Sequence, residues 1–301
     1  MMEIRHLLKK QAEEHQKTNK DAKLNQLKLQ QNTYWFPRDN NLLSAMPVGI
    51  EPDPTWESQD ITENMNRYKA MFNEVAQDRT GWPEVTYDIN SHGFRCPPFQ
   101  TIDYTKQQIL VVGCSFSFGM GLNQNHLWHD YLNDGFQDAQ IWNLGVPGFS
   151  NDGITRLVYR AAPVIRPSII IIQWSHFNRR EYITDTNRIK RILPNHPRFH
   201  TDATEAYKGF FDMHNKFNDQ YCFDKNLAFM SMIAKGHNII FLWDIIDNFP
   251  LIDYARDDEH PGIESSKLFA VQIYKQYLDT VVYKDERSKF LEEFLNKIDA
   301  R

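Results

Sequence analysis

With 301 residues and a formal net charge of −5, the chain is long enough to bury a substantial core as one large domain or two small ones. Its 41% hydrophobic and 13% aromatic content suits a globular fold, and its charge gives no electrostatic reason to expect a nucleic-acid surface. Cys96, Cys114 and Cys222 are widely spaced and odd in number, which suggests neither a disulfide framework nor a zinc cluster and makes a reducing compartment the simplest setting.

The N-terminal stretch MMEIRHLLKKQAEEHQ mixes charges with its few apolar residues, so it lacks the apolar core of a signal peptide. The longest aliphatic run, IIII at 169–172, is too short to cross a bilayer. The expected location is cytoplasmic or virion-associated, with no membrane partner. Residues 3–31 carry an intermittent helical stripe through Ile4, Leu7, Leu8, Leu24 and Leu27, which predicts an exposed helical arm, read first as a solvated terminal helix and second as a self-association or docking helix. From Tyr34 to Trp56 the composition turns to Pro, Asn and aromatics, as in irregular structure laid over a core. The expected organisation is an arm over 1–45, an irregular lead-in over 46–108, an α/β domain over 109–285 and a helical tail over 286–301.

Within the α/β domain, short β-branched runs at Ile109 to Val112, Ile141 to Leu144, Ser168 to Ile172 and Asn238 to Trp243 show little polar alternation, the pattern of strands covered on both faces. Between them, Ile154, Leu157, Val158 and Ala161 follow helical spacing behind a cap at Ser150 or Asn151, and Leu268, Val271, Tyr274, Leu278 and Val281 mark a late helix. Alternation of this kind predicts a mostly parallel sheet between helical layers, with ligands at the carboxyl ends of the strands.

The strand ends are therefore where chemistry is expected. The first runs into Gly113-Cys114-Ser115-Phe116, then Gly119 and Gly121, a tight turn that exposes a side chain and brings backbone N–H groups to a substrate. It lacks the Gly-Lys-Ser/Thr ending of a phosphate loop. Cys114 and Ser115 are both candidate nucleophiles at this point. The second strand ends in NLGVPGFSND with Gly145 and Gly148, the third in QWSHFNRRE with Ser175, His176 and Asn178, and the fourth in Asp244. Further on, RDDEHPG places Asp257 three residues before His260, within reach of the imidazole Nδ1. His126 and His129 lack a nearby third ligand and read as surface histidines, and Pro197 spoils a helical pairing of His196 with His200. No metal and no cofactor is expected. The tryptophans at 35, 56, 82, 128, 142, 174 and 243 read as core or cover before they read as sugar platforms.

Taken together these blocks resemble the SGNH/GDSL hydrolases. Gly113, Ser115 and Phe116 match the nucleophile block, Gly148 in NLGVPG the second block, Asp257 and His260 the last, and YDINSHGFR at 87–95 is similar to a segment preceding the nucleophile strand. The resemblance spans about residues 85–283. It implies a three-layer α/β/α sandwich, flavodoxin-like in layout, and a triad of Ser115, His260 and Asp257. Cys114 stands where many members have Asp, and the third block has no Gly-x-Asn-Asp. Aligning the strand ends puts Ser175 in the place of the oxyanion-hole Asn, with His176 or Asn178 as substitutes, beside the backbone N–H groups of Ser115 and Gly148. The family geometry favours Ser115 over Cys114, which then turns toward the sheet. The implied activity is hydrolysis of an acyl ester, foremost O-acetyl, on a small molecule or carbohydrate. An O-acyltransferase with the same site and an inactive structural or glycan-binding relative are the alternatives. The segment from Thr184 to Asn218 is expected to overhang the site.

Overall fold

The computed structural model describes residues 85–136, 138–183, 189–194, 209–210, 212–257, 259–282 and 284–301. The arm expected over 1–45, most of the lead-in, Trp35, Trp56, Trp82, His196, His200 and much of the 184–218 segment lie outside the described residues.

The core is a parallel sheet of β1 (Gln107–Val112), β2 (Ala139–Asn143), β3 (Ile169–Trp174) and β6 (Ile240–Ile245) in the order β2-β1-β3-β6. Two faces are covered, as the uninterrupted aliphatic runs require. Leu110, Val112, Ile170 and Ile172 pack with Trp142 and Trp174 under helices α3 (Asn151–Ile165) and α4 (Lys216–His237). Ile109, Val111, Ile169, Ile171 and Leu242 point the other way, to α2 (Trp128–Tyr131), α5 (Ile263–Val281) and α6 (Lys284–Asp299). The result is the three-layer α/β/α arrangement. β1 leads outward to β2, and the chain then crosses back to place β3 on the other side of β1. Such a reversal opens a crevice at the carboxyl ends of β1 and β3.

Local sequence accounts for the helix boundaries. Ser150 caps α3, its Oγ accepting the Gly153 N–H at 3.0 Å. Asn215 caps α4 by accepting the N–H groups of Phe217 (3.1 Å) and Asn218 (3.0 Å). Arg166 and Asn238 close the two helices in the left-handed conformation, so Asn238 ends a helix and does not begin the strand expected there. Trp128, Trp142 and Trp174 are buried, whereas Trp243 is partly exposed on the edge strand of the described sheet.

Three features depart from the sequence reading. An antiparallel hairpin, β4 (Arg180–Ile183) with β5 (Ile189–Ile192), follows the third strand. The 22-residue α4 buries only a narrow stripe, Asp219, Phe223, Asn226, Met230 and Ala234, two of them polar. The inward face of α5 is carried by Phe269, Ala270, Ile273, Tyr274 and Leu278, leaving Leu268 45% exposed. Among the described residues, no helix is long and apolar enough to cross a membrane.

Ile171 is fully buried at the centre of the sheet. Ile171→Ala is expected to cost about 2–5 kcal/mol in urea denaturation, and Leu268→Ala less than about 0.5 kcal/mol. A larger loss from Leu268→Ala would place the inward face of α5 on the wrong residues.

Candidate active site at the carboxyl ends of the strands

β1 ends at Val112, and after Gly113 and Cys114 α1 (Ser115–Phe118) begins with Ser115 as its first residue. Ser115 is 7% exposed. Cys114 is fully buried, and its thiol donates to Gln173 Oε1 at 3.5 Å, an oxygen that also accepts from Ser117 Oγ at 3.3 Å. The cysteine is thus turned toward β3, as the resemblance implied. The turn fits only without side chains at two neighbouring positions. A Cβ on Gly113 would lie 2.9 Å from the Gln173 carbonyl oxygen, and one on Gly145 would lie 2.5 Å from the Phe118 nitrogen.

The segment at 87–95 closes over the other end of α1. Arg95, 1% exposed, donates from Nη1 to the carbonyls of Phe118 (3.2 Å) and Gly119 (2.6 Å), and from Nη2 to those of Leu122 (2.6 Å) and Thr86 (3.2 Å). Tyr87 lies under this guanidinium at 4.6 Å, stacks on Phe118 at 5.8 Å and accepts the Gly121 N–H at 2.8 Å through its hydroxyl. The sequence marked this segment by resemblance only; the buried arginine serving helix-terminal carbonyls had no sequence signal of its own.

His129 is a correction. It is buried under α1, not on the surface, and burial first, then the Arg95 charge, push its pKa down to about 3 against a raising hydrogen bond to the Ser117 backbone. It is therefore neutral at ordinary pH. His126 is partly buried with Nδ1 3.3 Å from the Tyr131 hydroxyl. Among the described residues, no group of three His, Cys, Asp or Glu side chains is placed to hold a metal ion.

The second half of the site is the loop before α5. An isolated bridge between Tyr254 and Pro261 closes it, with Ala255 N–H donating to the His260 carbonyl at 2.7 Å. Asp253 anchors it to the helix, its carboxylate accepting the N–H groups of Glu264 (3.0 Å) and Ser265 (2.8 Å) and the Ser265 hydroxyl (2.6 Å). Within the loop Asp257 Oδ1 accepts the N–H groups of Glu259 (3.1 Å) and His260 (3.0 Å), while Oδ2 lies 2.6 Å from His260 Nδ1. Asp257 and His260 side chains are only 5% and 13% exposed.

The two halves meet. A Cβ on Gly121 would lie 2.7 Å from Ala255 Cβ and 3.0 Å from the Arg256 nitrogen, and Gly121 itself has φ +74°, so glycine is demanded twice. Phe116, the neighbour of Ser115, sets its ring against that of His260 at 5.6 Å and against Phe249 at 5.3 Å, both edge to face. Burial works against the charged imidazolium of His260, but the charge and hydrogen bond of Asp257 outweigh it and raise the pKa above its ordinary 6.5, with Glu259 adding and Arg179 subtracting. Burial likewise works against the Asp257 carboxylate, and the His260 partner and backbone N–H groups hold its pKa below 3.8.

The second and third strand ends complete the surroundings. Asn143 Oδ1 accepts the Gly145 N–H at 2.9 Å. Gly148 has φ +71° and lies beneath the β4–β5 hairpin, where a Cβ would come 3.2 Å from Leu193. Arg191 fastens the hairpin there by donating to the Pro147 carbonyl at 2.9 Å. Among the described residues, neither the Ser115 nor the Gly148 N–H is hydrogen-bonded. Asn151, the alternative cap, instead spans the crevice: its Oδ1 accepts the Ser175 N–H at 2.8 Å and its Nδ2 donates to the Ser175 carbonyl at 3.1 Å. Ser175 is fully buried, and its Oγ accepts from Arg179 Nη1 at 2.9 Å. His176 Nδ1 lies 3.6 Å from Asp247 Oδ1; burial and Arg179 lower its pKa against Asp247. Asn178 sits in the turn between β3 and β4.

A shallow cleft of about 420 Å³ between α3, α4 and β4 is lined by Asp152, Arg156, Tyr159, Glu181 and Lys225 among others. It contains none of Ser115, Asp257 or His260, and its Arg156 is paired with Glu181 at 2.9 Å.

No protein-family model matches the chain, and no curated protein sequence does. Among solved structures it is similar to the psychrotrophic esterase EstA from Pseudoalteromonas sp. (12% identity, 64% of this chain and 97% of the other, TM-score 0.29). It is also similar to a member of the lipolytic G-D-S-L family from Veillonella parvula (12% identity, 59% and 99%, TM-score 0.29). A GDSL-like lipase from Bacteroides thetaiotaomicron gives 11% identity over 74% and 100%, again at TM-score 0.29. Likeness at this level assigns no chemistry to the chain, which rests on the residues themselves.

Replacing Asp257 by Asn removes the largest influences that raise the His260 pKa and leaves burial, the strongest influence of all, and Arg179 to lower it against Glu259 alone. In Asp257→Asn the imidazole, followed by NMR, is expected to titrate below 6.5 instead of above it. An unchanged titration would show that Asp257 does not control the protonation of His260.

Proposed function

We propose that the protein is a serine esterase acting on acyl esters, foremost O-acetyl esters of a small molecule or carbohydrate. The observation that carries this reading is the 2.6 Å Asp257–His260 pair packed through Phe116 against the turn that presents Ser115. With Nδ1 engaged by Asp257, Nε2 is the nitrogen left to take a proton.

The steps follow from these roles. Ser115 Oγ attacks the ester carbonyl carbon, its proton passes to His260 Nε2, and the carbonyl π pair moves onto oxygen. The N–H groups of Ser115 and Gly148, which have no acceptor among the described residues, receive that oxyanion. Collapse re-forms the carbonyl and expels the alcohol, which leaves with the proton from His260. Water then repeats the sequence on the acyl-enzyme and frees the acid and Ser115. Because His260 must be neutral to accept the first proton, activity rises with pH through its raised pKa.

Ser115→Ala is expected to lower kcat on p-nitrophenyl acetate by at least about 10³-fold and to abolish labelling by a fluorophosphonate. Cys114→Ala, which alters a thiol facing Gln173, is expected to keep both. Wild-type activity in Ser115→Ala, or its loss in Cys114→Ala with Ser115→Ala unaffected, would overturn the assignment.

A further inference from the structure

We infer that Arg179 supplies the third oxyanion-hole donor, held in place by Ser175. This rests on the esterase reading above and deepens it. The third strand carries no asparagine where such a donor would stand, and Ser175, the residue directly after β3, is engaged within the fold. It is fully buried, its N–H and carbonyl are both taken by Asn151, and its hydroxyl already accepts a hydrogen bond. What the serine does is hold a guanidinium.

β1 and β3 are neighbours in register, Val112 opposite Ile172, so the turns after them lie side by side. Ser115 follows one strand and Ser175 the other. The reciprocal Asn151 bonds make Ser175 a fixed point, and Arg179 folds back onto it through Nη1 at 2.9 Å.

The charge of Arg179 is also uncommitted. Its neighbours are paired: Arg156 with Glu181 at 2.9 Å and Arg180 with Asp219 at 2.6 Å. Arg179 has no carboxylate partner among the described residues, and the bond to Ser175 uses one of its five N–H donors. A guanidinium beside developing negative charge forms stronger, charge-assisted hydrogen bonds than a neutral amide does. Separately, Arg179 lowers the proton affinity of both His260 and His176, which places its charge among the groups that act on the catalytic base together with Asp257 and Glu259.

The test uses the full chain with p-nitrophenyl acetate, an uncharged ester, so that lost activity cannot come from lost recognition of a substrate charge. Arg179→Met is expected to lower kcat by about 10²–10³-fold with little change in KM. Its acid limb is expected to move to higher pH, because a cation that opposed the imidazolium is gone. Arg179→Lys, which keeps the charge but not the planar fork, is expected to recover part of the loss. Thermal melting of both variants should stay near that of wild type. Unchanged kcat in Arg179→Met, a loss confined to KM, or a loss matched by a collapse in melting temperature in both variants would overturn the inference while leaving the Ser115 assignment standing. Absence of Ser115-dependent hydrolysis in the wild type would overturn both.

Discussion

The constraint on which the site depends is the close approach of backbone to backbone around a four-residue helix. α1 is pressed against β3 at Gly113, against the second strand's exit at Gly145 and against the Asp257 loop at Gly121. At each contact a Cβ would fall within 3.0 Å of a neighbouring atom that belongs to main chain or to a side-chain stem. These contacts make the turn that carries Ser115 a rigid part of the sheet's upper edge. Arg95 then binds the carbonyls that so short a helix leaves open, and its burial is tolerable because four carbonyls receive it.

The histidine is held by a different device. Its loop would be an exposed connection between β6 and α5 if Asp253 did not tie it to the first turn of the helix, accepting two backbone N–H groups and a hydroxyl. That interaction caps α5 and fixes the loop at once. Asp257 uses the same chemistry one step further on, with one oxygen on two backbone N–H groups and the other on the imidazole. Carboxylate geometry is thus set by the main chain before the histidine is considered, which is the kind of support a precise site needs.

Much of this was legible in the sequence, for reasons that differ by element. The four core strands showed because burial on both faces demands unbroken aliphatic runs such as IIII at 169–172. Ser115, Asp257 and His260 stood out as candidates because each follows a strand or precedes a helix in a recognisable local pattern. The β4–β5 hairpin did not show, since REYI and IKRI mix charge with apolar residues and derive their place from Arg156–Glu181 and from Arg191 on Pro147. Helix α4 was hidden because its buried stripe includes Asp219, which holds Arg180 and His214, and Asn226, which reaches Asp152. His129 and Arg95 are buried polar groups whose partners come from distant segments, and periodicity carries no trace of such pairings.

The Asp257–His260 pair also sets stability against the role of base proposed for His260. The folded pKa of His260 lies above 6.5, so its contribution to stability is complete below that value and is lost as pH rises through the folded pKa. The folded pKa of Asp257 lies below 3.8, so its contribution is present above that value and is lost as pH falls through the folded one. Between 3.8 and 6.5 both contributions are in force, and the pair is then an ion pair with the imidazole already protonated. A general base must instead be neutral, which occurs only at higher pH, where the stabilising proton has been given up. The tension is eased by the cation of Arg179, which opposes the pull of Asp257 and brings the neutral imidazole back toward ordinary pH. An arginine at this position therefore acts on His260 before any substrate arrives, independently of the oxyanion role proposed for it.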